Sequence, residues 1–79
     1  MTSDDTSYRA TADALYGRLG KKVAKVRAFQ GLTQAELAKR SGVSLSQVKR
    51  LEAGKRRLTV LNLIKIANAL GQRVRVQLR

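Results

Sequence analysis

Ser44, Leu45, Ser46, Gln47, Lys49 and Arg50 fall within one stretch of seven residues, SLSQVKR. Hydroxyl, amide, ammonium and guanidinium groups offer hydrogen-bond donors and acceptors, and helical spacing gathers most of them on an outer side. The chemistry on offer is recognition rather than bond-making. The chain has no Cys and no His, which removes cysteine nucleophiles, disulfides and the common metal-ligand sets. Its five acids are Asp4, Asp5, Asp13, Glu36 and Glu52, and three of them lie near the N-terminus. Paired-carboxylate catalysis has little to work with. The expectation is a protein that is not an enzyme and holds neither metal nor cofactor.

Charge narrows the partners. Seventeen Lys and Arg against five Asp and Glu give a formal net charge of +12 over 79 residues. Such a surface attracts polyanions, nucleic acid first and anionic membrane second. No apolar run approaches the ~18 residues of a spanning helix, and no signal-peptide pattern opens the chain. A cytoplasmic protein without membrane contact is therefore expected. The length suits one small domain, whose thin stability margin a partner chain would widen.

The elements that position the recognition stretch can be read from spacing. Residues 1–9 are polar and aperiodic and are expected to form a flexible arm. The main domain is placed at 10–72. Its first helix carries an apolar stripe of Ala12, Leu15, Tyr16, Leu19, Val23 and Val26. Gly17 and Gly20 each cost about 1 kcal/mol against Ala in a helix interior, which predicts a kink or break near 17–20. Thr33 and Glu36 form a T-x-x-E capping box that starts a second helix. Gly42 ends it by permitting a positive φ. Ser44 caps a third helix whose inward pair is Val48 and Leu51. KRR at 55–57 is a basic loop. Thr59 starts a fourth helix with Val60, Leu63, Ile64, Ala67 and Leu70 inward, while apolar Leu61 falls off that stripe.

The tail QRVRVQLR changes period. Val74, Val76 and Leu78 alternate with polar residues, which predicts a short strand over 73–79. A lone strand is an unpaired edge. Its simplest partner is the same strand of a second copy, and folding back on its own domain is the alternative.

Residues 19–71 resemble the lambda-repressor-like, Xre-type helix-turn-helix family through LTQAELA, SGVS, VKRLEAGKR and LIKIANALG, in that order. The tail resembles that of Hip-type antitoxins over seven or eight residues. The resemblance implies an all-α bundle of four to five helices with a short C-terminal β-strand. Leu58 departs from the family, which often has proline after the basic loop.

The resemblance also assigns roles. In such motifs the second helix of the pair enters the major groove with its N-terminal residues at the base edges. That places Leu45, Ser46, Gln47, Lys49 and Arg50 at base edges. Arg50 could give two hydrogen bonds to guanine, Gln47 could pair with adenine, and Leu45 could meet a thymine methyl. Gln34 is implied as a phosphate clamp, joined by Thr33 and Ser44 at the helix starts, where amides favour an anion. Lys55, Arg56 and Arg57 are implied to grip the flanking backbone, which positions without reading sequence. Arg27 and Glu52 are implied to pair as a structural brace. Leu61, Val74, Val76 and Leu78 are the candidates for dimerisation.

The function this implies is a homodimeric repressor of a palindromic double-stranded DNA operator, with half-sites roughly 34–36 Å apart. The strand tail, and the lack of a ligand or cleavage domain, suggest an autoregulatory antitoxin with a cognate toxin. A phage-type repressor or a restriction–modification controller shares the DNA mechanism without the toxin. A protein-interaction module that has lost DNA binding is the rival from another class, and a basic membrane-surface peptide is more distant.

Overall fold

The computed structural model describes residues 2–55 and 58–75. Four helices follow one another: α1 over Thr2–Phe29, α2 over Gln34–Ser41, α3 over Leu45–Glu52 and α4 over Val60–Ala69. Val23, Leu37, Ala38, Val43, Val48, Leu51, Ile66 and Leu70 form the buried core, with Tyr16, Val26, Leu32, Leu58, Leu63 and Ala69 packed against it. α2 and α3 supply half of the buried positions from two short segments. Each therefore depends on tertiary packing rather than on its own helical stability.

α1 is continuous through the two glycines where a break was expected. Close approach is the role of Gly20, whereas a Cβ added at Gly17 would meet nothing within 4 Å. A Cβ added at Gly20 would collide with the backbone carbonyl of Leu51, and one added at Gly54 would come within 3.3 Å of the Gly17 Cα. α3 thus crosses α1 with backbone nearly against backbone. At Gly20 the glycine cost in helix propensity is offset by contact that no larger residue permits. α1 also begins at Thr2, inside the stretch read as an arm. At 28 residues it is about 42 Å long at 1.5 Å per residue. That nearly spans the molecule's longest dimension of 44 Å. Of its expected stripe, Tyr16, Val23 and Val26 pack on the bundle, while Leu15 and Leu19 remain exposed. Ala12 is half-buried, and the apolar residues packed against the core begin at Tyr16.

α4 is rotated relative to the expected phase. Ile66 and Leu70 are buried and Leu63 is half-buried, whereas Val60 is 65% exposed and Ile64 is also exposed. Every residue from Val60 to Leu70 except Asn62, Lys65 and Asn68 is apolar, so several stripes satisfy the period equally well. Two polar ties set the phase: Asn62 reaches Gln47, and Gln30 Nε2 donates to the Leu70 carbonyl at 2.8 Å. Leu58, which replaces the family's frequent proline, packs on the core, and its carbonyl accepts from the Tyr16 hydroxyl at 3.5 Å.

The expected strand is not formed at Arg73–Arg75, and no strand occurs among the described residues. A strand needs a ladder partner, and no other described segment supplies one. Val74 is half-buried and instead lines a groove of about 230 Å³ with Leu19, Lys22, Val26, Leu63 and Ala67. Val76 and Leu78 lie outside the described residues. Leu61 is 60% exposed.

Candidate nucleic-acid interface

The α2–turn–α3 unit is held by short-range hydrogen bonds. The Glu36 amide donates to Thr33 Oγ1 at 3.0 Å, and the Thr33 amide donates to Glu36 Oε1 at 2.8 Å. These two bonds close the reciprocal capping box. The Thr33 amide holds the Glu36 carboxyl below its ordinary pKa. Gly42 leaves α2 at φ 75°, and its amide returns to the Ala38 carbonyl at 3.0 Å. Buried Val43 pins the turn. Ser44 then caps α3 by accepting from the Gln47 amide at 3.3 Å, and its hydroxyl also lies 3.3 Å from that of Ser46.

With Val48 and Leu51 fully buried, α3 can present only one side. Leu45, Ser46, Lys49 and Arg50 are exposed on it. Gln47 is half-buried, and its Oε1 accepts from Asn62 Nδ2 at 2.8 Å. That engagement uses one half of the amide. A bidentate adenine pair needs both halves, so Gln47 is set to offer a single donor instead.

The far end of α3 is fastened by charge. Arg27 Nε donates to Glu52 Oε2 at 2.6 Å, and its Nη2 donates to Oε1 at 2.8 Å. Its Nη1 donates to the Leu32 carbonyl at 2.7 Å, so the same side chain ties α1, the α1–α2 turn and α3 together. Gln34 Nε2 adds a bond to Glu52 Oε1 at 3.0 Å. The side chains are 18% exposed for Arg27 and 6% for Glu52. Burial by itself pushes the Glu52 carboxyl up. Hydrogen bonds from Arg27 and Gln34, with the guanidinium charge, outweigh that and hold it below its usual range. Arg27 is correspondingly raised, chiefly by its hydrogen bond to Glu52.

The expected contact residues therefore divide. Leu45, Ser46, Lys49 and Arg50 share the open side of α3, and Lys55 is exposed just beyond it. Thr33 and Ser44 spend their side chains on caps. Gln34 joins the brace at the start of α2, where the first-turn amides lack intrahelical acceptors and suit an anion. Arg56 and Arg57 lie outside the described residues. Asn62, Gln30 and Tyr16 were not among the residues singled out for polar roles. Asn62 had a faint signal as a lone amide between apolar neighbours, three residues after the cap Thr59, to whose Oγ1 its own amide donates at 3.1 Å.

This arrangement has a counterpart among known proteins. A family profile described as helix-turn-helix matches residues 23–76. The chain belongs to the lambda-repressor-like helix-turn-helix family of DNA-binding transcription regulators. It is similar to the uncharacterized HTH-type transcriptional regulator y4dJ of Sinorhizobium fredii, at 43% identity over 53 residues. That match covers 67% of this chain and 69% of the relative. The family is one of regulators rather than enzymes. Among the described residues there is no group of three or more His, Cys, Asp or Glu placed to hold a metal ion, and no helix long and apolar enough to cross a membrane.

Proposed function

We propose that this helix-turn-helix regulator is a repressor that binds a palindromic double-stranded DNA operator as a homodimer and controls its own promoter. The supporting observation is the division of α3 into a buried, charge-braced side and an open side carrying Leu45, Ser46, Lys49 and Arg50. A helix fixed by its back and C-terminal end can enter a major groove without losing its orientation. Arg50 then supplies the guanine contact and Gln47 a single donor, while Leu45 meets a thymine methyl. Gln34, Lys55 and the first-turn amides of α2 hold phosphates, with Arg56 and Arg57 continuing that contact. The finer reading is an antitoxin that represses the operon of its toxin. Its support is the small basic domain and the tail's sequence resemblance.

Selection of bound duplexes from a random pool tests the DNA reading. A motif with two inverted halves is expected. Salt-labile binding without an enriched motif would mean a non-specific or non-DNA role. Lys55→Ala should weaken all duplexes alike and lower the salt slope by about 1. A protein encoded beside this chain that co-purifies with it is the expected sign of a toxin partner, and its absence favours a stand-alone repressor.

A further inference from the structure

α1 packs chiefly on α3 and α4 chiefly on α2, which leaves α1 and α4 unclosed against each other. The groove of about 230 Å³ lies between them, against residues 72–75. Its walls include Val26, Leu63, Ala67 and Val74, all half-buried. Its rim carries Lys22, Arg73 and Arg75, all exposed, and no carboxylate lines it. None of the three cations makes an ion pair with another described residue. An apolar recess rimmed by polar groups is the form an interaction site takes. The groove also lies away from α3. Lys22 is two positions from Gly20, roughly 200° round the helix, and Gly20 meets Leu51. No residue of α2 or α3 lines the groove.

We infer that this groove docks an acidic segment of a different protein. An apolar side chain of that segment sits between Val26, Leu63, Ala67 and Val74, and its carboxylates meet Lys22, Arg73 and Arg75. Size and charge choose this occupant. The volume of about 230 Å³ falls below the roughly 300–1,000 Å³ of small-molecule sites, and suits an apolar anchor rather than a whole cofactor. Three cations on one rim call for several carboxylates, which a peptide supplies and a simple amphiphilic acid does not. A second copy of this chain is a poor match, because its seventeen Lys and Arg outnumber its five Asp and Glu. Duplex DNA answers the positive charge, but the phosphates on its surface offer nothing to the apolar walls. Burial of the anchor supplies affinity, while the charged rim supplies orientation and a faster encounter. The inference rests on the groove and not on the operator reading, since the docked segment leaves the open side of α3 uncovered.

The probe is a short synthetic peptide of Glu and Leu, compared with one in which Ser replaces Leu and one in which Lys replaces Glu. Amide chemical-shift mapping on the isotope-labelled full chain reads where each binds. The Glu–Leu peptide should shift Leu63, Ala67 and Val74, and the other two should bind about tenfold more weakly or not at all. Equal binding by the Ser peptide, or shifts centred on Lys49 and Arg50, would reduce the contact to general attraction by a basic surface and overturn the proposal. Lys22→Glu combined with Arg75→Glu changes two exposed positions, so helix content should hold. That variant should bind the Glu–Leu peptide about tenfold more weakly and admit the Lys–Leu peptide. Lys39→Glu combined with Arg40→Glu alters net charge equally and should change little. Matching losses in the two variants would overturn the assignment to the groove. Binding seen only after residues 76–79 are deleted would give the groove to the chain's own tail and overturn the foreign partner. Absence of sequence-specific DNA binding with peptide docking intact would refute only the operator reading.

Discussion

The two ends of α3 are attached by different chemistry. At its C-terminal end Glu52 is nearly enclosed and takes three hydrogen bonds, two of them from a guanidinium. At its N-terminal end the ties are neutral and exposed or half-exposed: the Ser44 cap and the Gln47–Asn62 amide pair. A part-buried charge pair has few alternative partners and fixes an angle. Neutral bonds at the surface exchange with water at little cost. The braced end sets where α3 points, and the looser end leaves its side chains free to meet another surface.

Breaking the braced end should have the largest effect. Arg27→Met leaves Glu52 buried without its cation. A loss of roughly 3 kcal/mol is expected, at the low end for a broken buried pair because Arg27 keeps some solvent access. Denaturant unfolding measures it, and a change under 1 kcal/mol would show the brace to be ornamental. The same pair gives the acid response its sign. Glu52 has a depressed pKa when folded, so its stabilisation is complete above its ordinary value of 4.5 and is lost as pH falls through the lower folded value. Glu36 adds in the same direction. In Arg27→Met that acid-side slope should flatten, because burial then pushes Glu52 up.

Gly20→Ala is expected to cost about 1–3 kcal/mol by forcing α3 off α1, since the obstructing group is the Leu51 carbonyl rather than a movable side chain. Thermal unfolding reads this directly. The looser end should respond less. Ser44→Ala should cost about 1 kcal/mol of stability through the lost cap. Asn62→Ala should cost about 0.5–1.5 kcal/mol and, by freeing Gln47, shift preference toward adenine at one position of the half-site. A stability loss at Asn62 equal to that at Arg27 would erase the contrast between the two ends.

The same contrast explains what could be read in advance. The Thr33–Glu36 box, the Ser44 and Thr59 caps, the Gly42 turn and the inward pair Val48 and Leu51 follow from rules that act within a few residues. The Arg27–Glu52 pair was legible through family resemblance. The phase of α4 was not legible, because apolar residues surround most of that helix and periodicity cannot choose among stripes. Nor could periodicity tell which residues of the α1 stripe pack on the core and which, such as Leu15, stay exposed. Helix propensity marked Gly17 and Gly20 as weak points, whereas tertiary contact uses Gly20 as a crossing. In the tail, alternation expressed β preference, but a strand forms only where another strand receives it. The Gln34–Glu52 and Gln47–Asn62 bonds join residues far apart in sequence and leave no local signature.

The most direct test of the claim that the open side of α3 reads DNA is a single-base-pair substitution panel on the selected duplex, with wild type and Arg50→Ala compared at fixed salt. The prediction is a loss of about 1–3 kcal/mol of discrimination at one base pair of each half-site, with the other positions unchanged. Identical preference at every position for the two proteins would contradict it.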